Sequence, residues 1–314
     1  MTHNILIADG LAEAGQALLR SAGEVTFSPK ITPEELLAVL PEYHALVVRS
    51  RTKVTAKVIE AGQSLKVIGR AGVGVDNIDV PAALARGITV VNSPMAASVS
   101  VAEHTFALML ALARHIPAAD ASFKQGRWEK SAFMGTELSG KTLGLLGLGR
   151  IGALVANRAF AFGMSVLAYD PYLSEAQIIE RKAEPAAFDE VIARSDYVSL
   201  HLPLTKETHG LINAGQFAKM KQGARLVCAA RGGVVDEEAL RAALDSGRLA
   251  GAALDVFAAE PPPPGSVAAH PKVIATPHVG AQTHEAQARA GAAIAEEVVA
   301  VLQGKKPRWK VTGE

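Results

Sequence analysis

A glycine-rich turn places the strongest constraint on how this chain folds. It contains Gly147, Gly149 and Gly152 in the pattern Gly-X-Gly-X-X-Gly, between an apolar run at 141–146 and a helical pattern at 150–162. The first glycine permits a tight turn, the second leaves the backbone open to a ligand, and the third lets the helix lie close to the sheet. A pyrophosphate bound there would sit at the positive end of the helix. The segment is therefore predicted to be a dinucleotide-binding unit.

The residue at the end of the next strand selects the dinucleotide. The apolar run 165–170 ends at Asp170, at roughly the 20-residue offset that this unit requires. A carboxylate there accepts a hydrogen bond from the ribose 2′-hydroxyl of NAD and repels the 2′-phosphate of NADP. Arg150 lies in the glycine turn rather than after the second strand, so it does not change this preference. The sequence therefore predicts NAD as the cofactor.

Composition places the chain among ordinary globular proteins. Its 314 residues are enough for two hydrophobic cores. Of these residues, 49% are hydrophobic and 20% are charged, as in an ordinary soluble protein. The formal net charge is +1 and there is no run of like charges, so nucleic acid is not an expected partner. The longest apolar stretch, 106–113, is too short to cross a bilayer, and residues 1–10 contain no basic leader. We therefore expect a cytoplasmic protein with no membrane partner.

The single cysteine excludes an internal disulfide. Cys228 lies in the apolar run 225–230, where a small buried core residue is expected and a catalytic thiol is the less favoured alternative. No metal site is predicted from the sequence.

Short apolar runs alternate with helical patterns along two stretches of the chain, as in parallel α/β sheets. In the first stretch, strands are predicted at 4–8, 25–27, 45–48, 67–69 and 88–91, with helices at 11–21, 33–40, 55–61 and 81–86. In the second stretch, strands are predicted at 141–146, 165–170, 197–200, 225–229, 251–256 and 273–276. The predicted fold class is α/β, with two doubly wound parallel-sheet domains.

Two long helical patterns connect these series. The pattern at 98–114 lies between them, and the alanine-rich pattern at 285–303 has no strand of the second series left to follow, so we infer that it returns to the first domain. The predicted domains are 1–97 with 285–314, and 98–284. Ligands of open α/β sheets bind beyond the carboxyl ends of the strands, so the cleft between the domains is the expected active site.

Three residues suit hydride exchange between a 2-hydroxy acid and a nicotinamide. The reaction needs a cation for the carboxylate, a group that exchanges the hydroxyl proton, and a partner that keeps this group protonated. Arg231 follows a strand in a turn with Gly232 and Gly233, where a guanidinium is able to bind a carboxylate with two hydrogen bonds. His278 also follows a strand, and Glu260 precedes a proline run that stiffens its loop. A carboxylate beside an imidazole favours the protonated ring and fixes its tautomer.

Each of the three also fits a structural role when it is taken alone. An arginine after a strand is usually a solvated charge, a glutamate before prolines usually lies at the surface, and a histidine beside a turn usually caps or packs. The spacing of Arg231, Glu260 and His278 does not by itself decide between the two interpretations.

Longer motifs resemble those of the D-isomer-specific 2-hydroxyacid dehydrogenases. These motifs are CAARGGVVD at 228–236, LDVFAAEP at 254–261 and TPHVG at 276–280. The D-3-phosphoglycerate dehydrogenases of that family are the most similar, through VRS at 48–50, GRAGVGVDNID at 69–79, Trp128 and FMGTEL at 133–138. The resemblance extends over nearly the whole chain. It implies a flavodoxin-like substrate domain and a Rossmann NAD domain.

The resemblance also implies a role for each matching residue. Arg231 would bind the substrate carboxylate, His278 would exchange the proton and Glu260 would support it. The backbone of Val73 and Gly74 would add contacts to the carboxylate. The residues implied at the phosphate end of the substrate are Arg49, Ser50 and Arg70. The residues implied in NAD binding are the three turn glycines with Arg150, Ile151, Asp170, His201, Pro203, Thr208, Ala229, Asp255, His278 and Gly280, with Asp255 near the nicotinamide amide. For His201 and Thr208, a polar pair at a strand end is an equally good interpretation.

The implied function is the NAD-dependent oxidation of D-3-phosphoglycerate to 3-phosphohydroxypyruvate in serine biosynthesis. The resemblance implies a homodimer or homotetramer in which residues 128–130 reach the partner's active site. Met-Ala-Ala at 95–97 replaces a polar residue frequent in the family, and Arg51 adds a cation. The sequence ends at Glu314, so we expect a short form without the C-terminal regulatory domain. The alternatives are a reductase for hydroxypyruvate, glyoxylate or another anionic 2-oxo acid, and an NAD(H)-sensing binding module similar to the C-terminal-binding corepressors.

Overall fold

The computed structural model describes residues 2–312 and divides into two compact units. Unit 1 comprises the chain up to Ser98 and again from Ala281, and unit 2 comprises Val99–Gly280. Within residues 2–312, no helix is both long and apolar enough to cross a membrane. In the same range, no group of three or more His, Cys, Asp or Glu side chains is placed to hold a metal ion. Each unit contains its own sheet and its own hydrophobic core.

Unit 1 is built on a parallel sheet of five strands. They are β1 His3–Ile7, β2 Gly23–Phe27, β3 Ala45–Val48, β4 Val67–Arg70 and β5 Thr89–Asn92. Their spatial order is β2-β1-β3-β4-β5, and every neighbouring pair is parallel. This is the flavodoxin-like order, in which the direction of winding reverses between β1 and β3.

Unit 2 is built on a parallel sheet of seven strands. They are β6 Thr142–Leu146, β7 Ser165–Tyr169, β8 Glu184–Pro185, β9 Tyr197–Leu200, β10 Ala224–Cys228, β11 Leu249–Leu254 and β12 Val273–Ala275. Their spatial order is β12-β11-β10-β9-β6-β7-β8, which is the Rossmann order with one added strand. The winding reverses between β6 and β9, so a ligand crevice is expected beyond the carboxyl ends of these two strands. The predicted fold class is confirmed.

Helices connect consecutive strands in both units. They are α1 Glu13–Arg20, α2 Pro33–Val39, α3 Ala56–Ala61, α4 Val80–Ala85, α5 Ser98–Arg114, α6 Ile116–Lys124, α7 Arg150–Ala161, α8 Glu175–Glu180, α9 Phe188–Arg194, α10 Ala214–Lys219, α11 Glu237–Asp245 and α12 His284–Leu302. Several begin at side-chain caps that the sequence provides. Asp236, for example, accepts hydrogen bonds from the N–H groups of Glu238 and Ala239 at the start of α11.

Each sheet separates two layers of apolar side chains. In β1, Ile5 and Ile7 pack into one cluster, while Leu6 and the following Ala8 pack into another. Successive side chains of a strand point to opposite faces, so a strand buried on both faces needs an unbroken apolar run. The continuous runs in the sequence therefore indicate sheets that are covered by helices on both sides.

Helix α12 belongs to unit 1, although it follows all the strands of unit 2 in the chain. It packs against α1 and β4, and the contact with α1 is close because both helices carry a glycine there. A Cβ on Gly15 would lie only 2.4 Å from the carbonyl oxygen of Gly291. The small residues of the alanine-rich pattern thus allow two helix backbones to approach each other.

Candidate active site

The glycine turn lies directly after β6, at the edge where the winding of the unit 2 sheet reverses. Gly147 has a left-handed backbone with φ 90°, and a Cβ there would lie 2.6 Å from the carbonyl oxygen of His201. A Cβ on Gly152 would lie 2.3 Å from the carbonyl oxygen of Gly147. Gly149 differs, because no atom lies within 4 Å of where its Cβ would be. Two of the glycines therefore close the turn, and the third leaves its backbone open to a ligand.

Helix α7 begins immediately after this open glycine. Its N-cap is Gly149, which supplies no side-chain hydrogen bond to the first turn, and Arg150 and Ile151 are the first two helical residues. The N–H groups at the start of the helix therefore have no capping side chain. Together with the helix dipole they favour a bound anion. This end of α7 fits the pyrophosphate of a dinucleotide.

Asp170 follows β7 and is tied to the glycine turn. Its Oδ2 accepts a hydrogen bond from the backbone N–H of Leu148 at 2.9 Å, and its Oδ1 accepts one from the N–H of Tyr172 at 3.0 Å. Each carboxylate oxygen has capacity for a second hydrogen bond, so both remain able to accept from ribose hydroxyls. The open glycine and this fixed carboxylate fit NAD.

Four further predicted cofactor residues, His201, Pro203, Thr208 and Ala229, follow β9 and β10. His201 directly follows β9, with its Nε2 3.0 Å from Ser199 Oγ, and burial lowers the pKa of His201 to about 4. The ring is therefore neutral at neutral pH. Thr208 donates a hydrogen bond of 2.6 Å to the carbonyl oxygen of Pro203, which stabilises the loop after β9. Ala229 directly follows β10 and is mostly buried.

His278 and Glu260 form a contact in unit 2. Nδ1 of His278 lies 2.9 Å from Oε2 of Glu260, and the two side chains are 47% and 39% exposed. The other oxygen, Oε1 of Glu260, accepts a hydrogen bond from the N–H of Phe257 at 3.2 Å, which fixes the carboxylate. An ionised carboxylate only accepts hydrogen bonds, so Nδ1 carries the proton in this contact. Nε2 is then the nitrogen left to exchange a proton with a substrate.

The backbone at His278 is left-handed, with φ 53°. This conformation is uncommon for a residue other than glycine and costs on the order of 1–3 kcal/mol. The surrounding bonds hold it in place: the His278 N–H donates to the carbonyl oxygen of Asp255 at 2.8 Å. The Asp255 carboxylate accepts from the N–H of Val279 at 2.9 Å, the N–H of Gly280 at 2.8 Å and the hydroxyl of Thr276 at 2.5 Å.

Asp255 is 1% exposed and has one further partner, Nε2 of His104 at 3.2 Å. Burial alone would raise the pKa of Asp255, but the hydrogen bonds from His104, Thr276, Val279 and Gly280 outweigh it and hold the pKa below its ordinary value. The carboxylate is therefore ionised at neutral pH. Its four hydrogen bonds fix the loop that carries His278.

Arg231 follows β10 in a turn that packs on the Glu260 loop. A Cβ on Gly232 would lie 1.8 Å from the carbonyl oxygen of Phe257, so the two segments are in direct contact. Phe257 is also the residue whose N–H donates to Glu260. The structure thus brings the turn of Arg231, the Glu260 loop and the His278 loop together at one edge of the unit 2 sheet.

Unit 1 carries the residues predicted for the phosphate end of the substrate at the carboxyl ends of β3 and β4. Arg49 follows β3; its backbone N–H donates to Asp9 at 2.6 Å, and its guanidinium donates to Oε1 of Gln282 at 3.5 Å. Burial lowers the pKa of Arg49 below its ordinary value, and the nearby Asp9 opposes this. Ser50 is exposed beside it, and Arg70 is the last residue of β4. A partly desolvated guanidinium favours a bound anion.

Val73 and Gly74 lie in the loop after β4. The amide of Asn92 donates to the carbonyl oxygen of Val73 at 2.6 Å, which fixes this loop. Within residues 2–312, the N–H groups of Val73 and Gly74 donate no hydrogen bond. They are therefore able to donate to a ligand.

Arg51, which the sequence offers as an additional cation, has a different position. Its Nε lies 3.0 Å from Asp9 Oδ1, and it also donates to the carbonyl oxygens of Ala8 and Ile31. Asp9 is 3% exposed, so Arg51 neutralises a buried carboxylate. These contacts of its guanidinium are all with groups of unit 1.

Cys228 ends β10 and is 1% exposed. Burial raises the pKa of its thiol to about 11, so the thiol is neutral at neutral pH. This agrees with a core position and argues against a catalytic thiol.

Comparison with known proteins identifies the family. Residues 106–280 match the family model described as D-isomer specific 2-hydroxyacid dehydrogenase, NAD binding domain. The chain belongs to this family. The match covers the glycine turn, Asp170 and the loops of Arg231, Glu260 and His278. The predictions of the family and of NAD as the cofactor are both confirmed.

Relatives in this family have been named for several acids. The chain is 50% identical over 302 residues to a D-3-phosphoglycerate dehydrogenase from Archaeoglobus fulgidus, covering 96% of this chain and 57% of that protein. It thus spans little more than half the length of that relative. The TT0316 protein from Thermus thermophilus has a similar structure, with TM-score 0.89, 37% identity and coverage of 98% and 100%. A D-lactate dehydrogenase from Aquifex aeolicus, solved with NAD and lactic acid, gives TM-score 0.84, 30% identity and 96% coverage of both chains.

Sequence reasoning missed several residues that fix the site. His104 and Thr276 bond the Asp255 carboxylate, and Asp9 fixes the backbone at Arg49. No short motif links His104 to Asp255, because the contact joins α5 to the end of β11. Asp9 follows an apolar run at a strand end, which is the one signal that could have marked it.

Proposed function

We propose that this chain oxidises D-3-phosphoglycerate to 3-phosphohydroxypyruvate with NAD, as a step of serine biosynthesis. The observation that carries the proposal is the 2.9 Å contact between Nδ1 of His278 and Glu260 in an NAD-binding domain. The choice of phosphoglycerate is supported by the name of the relative at 50% identity. It is also supported by two arginines of unit 1, Arg49, which follows β3, and Arg70, which ends β4.

His278 is the proposed acid–base catalyst. Its Nδ1–H is held by Glu260, so Nε2 accepts the proton of the substrate hydroxyl during oxidation and returns it during reduction. The Glu260 carboxylate stabilises the imidazolium that forms and keeps the ring in one orientation. Its own position is set by the N–H of Phe257.

Binding of the acid is proposed to use charge at both of its ends. Arg231 binds the carboxylate through its planar guanidinium, with added N–H donors from Val73 and Gly74. Arg49, Ser50 and Arg70 bind the phosphate. A cationic group for each anion would select a substrate that carries both a carboxylate and a phosphate.

Bound NAD supplies the acceptor for the hydride that leaves C2 of the substrate. The residues proposed to hold it are the turn glycines with Arg150, Ile151, Asp170, His201, Pro203, Thr208, Ala229, Asp255 and Gly280. Asp170 orients the ribose, and the start of α7 binds the pyrophosphate. The buried, neutral His201 adds no charge beside the glycine turn.

We also propose that the chain forms a homodimer through unit 2, with a homotetramer as the alternative result. Large apolar side chains are exposed on and near α6: Ile116, Phe123, Trp128 and Met134, of which Trp128 is 81% exposed. An exposed apolar surface of this kind is typical of an interface between subunits. Light scattering with size separation measures the mass directly. A cytoplasmic location remains a prediction from the sequence.

The test is kcat/KM for D-3-phosphoglycerate, D-glycerate, D-lactate and, in the reverse direction, glyoxylate and hydroxypyruvate, with NAD(H) and NADP(H). We expect the highest value for phosphoglycerate with NAD. A higher value for hydroxypyruvate or glyoxylate would replace the substrate and keep the reaction class. NADH binding without turnover of any acid would instead support a cofactor-sensing module.

A further inference from the structure

His104 is a partly buried histidine to which the proposed reaction assigns no direct part. It lies on α5, and its side chain is 19% exposed. Its Nε2 lies 3.2 Å from Oδ1 of Asp255 and 3.1 Å from the hydroxyl oxygen of Thr276. All three residues belong to unit 2. The histidine therefore contacts the carboxylate that fixes the His278 loop without contacting His278 itself.

The hydrogen bonds around Asp255 determine which ring nitrogen of His104 carries a proton. The hydroxyl proton of Thr276 is donated to Oδ1 of Asp255, at 2.5 Å. Nε2 of His104 therefore faces two oxygens that are both acceptors in its direction. Nε2 must be a donor, since a lone pair there would repel the carboxylate. His104 thus donates to the carboxylate and to the hydroxyl together.

This donation supports the arrangement that holds the His278 backbone. Asp255 Oδ1 receives the hydrogen bonds of Thr276, Val279 and His104, and Oδ2 receives that of Gly280. Without His104, the Thr276 hydroxyl and the Asp255 carboxylate each lose one of their hydrogen-bond partners and are held less firmly. The left-handed backbone at 278 then loses part of the network that maintains it.

We propose that His104 is a positioning residue for the acid–base histidine: its Nε2–H holds Asp255 and Thr276 in the arrangement that fixes the loop at 276–280. This inference rests on the proposed role of His278 in proton exchange. It assigns His104 no contact with substrate. Position 104 requires a hydrogen-bond donor rather than a histidine as such. Glutamine, whose Nε2 also donates, should therefore retain most of the function of His104.

The first test compares His104→Leu with His104→Gln, and uses His270→Leu as a matched control. His270 is a buried histidine of unit 2, and its Nε2 likewise contacts an aspartate, Asp245 at 3.1 Å. With the best acid substrate, His104→Leu should lower kcat by roughly 10-fold to 100-fold, as expected for a misplaced catalytic group. KM for that acid should change less than kcat. His104→Gln should recover most of kcat, and His270→Leu should keep it.

The second test is a double-mutant cycle with Thr276→Val. If both residues act on the one carboxylate, the double variant His104→Leu/Thr276→Val should lose much less kcat than the product of the two single losses. A product of independent losses would overturn the proposed shared action on Asp255.

A third readout, hydrogen exchange, needs no substrate. In His104→Leu, the amides of Val279 and Gly280 should exchange faster, while those of β9 stay unchanged. Unchanged exchange at 279–280, or equal kcat for His104→Leu and the wild type, would overturn the proposal. If the wild type oxidises none of the acids but the exchange changes as expected, the proposed reaction fails and the role of His104 in fixing the loop stands.

Discussion

The histidine loop of unit 2, residues 276–280, and the arginine loop of unit 1, residues 49–52, are fixed in similar ways around different charges. Each loop donates backbone N–H groups to a buried aspartate that follows a strand, Asp255 in one unit and Asp9 in the other. Arg51, which belongs to the arginine loop, neutralises Asp9. Both aspartates also accept from a hydroxyl, Thr276 for Asp255 and Thr52 for Asp9, but Asp255 has the imidazole of His104 where Asp9 has a guanidinium.

The different partners of Asp9 and Asp255 suit the two loops to different tasks, binding of an anion in unit 1 and proton transfer in unit 2. A buried carboxylate is costly unless it is paired or well hydrogen-bonded. Asp9 meets this requirement through Arg51 of the arginine loop, and Asp255 through the histidine loop together with His104 of α5. Because Arg51 neutralises Asp9, the positive charge of Arg49 is available to a substrate anion. The groups around Asp255 fix the backbone and leave the charge of the His278–Glu260 pair to vary with the proton. The two loops should therefore fail in different ways when they are mutated.

The largest effect is expected at His278. His278→Ala removes the proposed acid–base group, so kcat should fall by about 10²-fold to 10⁴-fold. The dissociation constant for NADH should barely change, because the glycine turn and Asp170 are untouched. Steady-state kinetics and NADH fluorescence titration check the two parts. A kcat within threefold of the wild type would remove His278 from the chemistry.

In the arginine loop, Arg49→Ala should raise KM for phosphoglycerate through loss of a charge-assisted contact worth about 1.5–3 kcal/mol, roughly 10-fold to 150-fold. KM for unphosphorylated glycerate should hardly change. Arg51→Ala is the matched control, because it removes the same charge from a position directed at Asp9. It should lower the free energy of unfolding and leave the preference for phosphoglycerate intact. Equal losses for both acids in Arg49→Ala would assign Arg49 a structural or carboxylate-binding role.

Asp170→Ala tests cofactor choice, which neither loop determines. Repulsion between the Asp170 carboxylate and the 2′-phosphate should weaken NADP binding by about 1–3 kcal/mol. The wild type should therefore have a kcat/KM with NAD that is several-fold to about 100-fold higher than with NADP. The variant should narrow this ratio of kcat/KM values. A wild type that uses both cofactors equally would contradict the role of Asp170.

Glu260→Gln should change the pH dependence of the reaction more than its maximum rate. Loss of the negative charge beside His278 removes stabilisation of the imidazolium, so the profile for reduction should move toward lower pH. The measurement is kcat/KM for the oxo acid across the acidic and mildly alkaline range. If the profile stays where it is in the wild type, Glu260 has no part in holding the proton.

The smallest effect is expected from protonation of His201, and it concerns the stability of the fold. Because its pKa falls from 6.5 to about 4 on folding, the unfolded chain binds a proton in this pH range that the folded chain does not. Stability should therefore decrease as pH falls from 6.5 to 4, by on the order of 1–3 kcal/mol from this group. His201→Gln should reduce that decrease in denaturant titrations at neutral and at mildly acidic pH. An unchanged pH dependence would show that His201 is not buried in its neutral form.

Much of the fold could be predicted because parallel strands buried on both faces must be continuously apolar. The runs at β3 and β9 have this property, and the glycine turn after β6 is recognisable for similar steric reasons. Strand β8 escaped prediction because it is a two-residue edge strand of Glu184 and Pro185, with no apolar run. The sequence also gives no indication that α5 stops at Arg114 and α6 begins two residues later, with left-handed His115 between them.

In the candidate site, too, residues within local sequence patterns could be predicted, and residues that depend on distant contacts could not. Arg231, Glu260 and His278 each follow or precede a recognisable local pattern, so they could be nominated in advance. Arg51 could not be separated from Arg49 by sequence, because Asp9, some forty residues away in the chain, contacts the guanidinium of Arg51 and the backbone N–H of Arg49. His104 could not be predicted for the same reason. Its partner Asp255 follows β11, far away in the chain, and only the folded unit brings the two residues together.

The proposed reaction transfers the hydride from C2 of D-3-phosphoglycerate to NAD. Phosphoglycerate labelled with deuterium at C2 tests it directly, with mass spectrometry of the NADH formed. We expect one deuterium in NADH for each 3-phosphohydroxypyruvate produced and no deuterium released to water. Deuterium in the solvent, or unlabelled NADH, would contradict it.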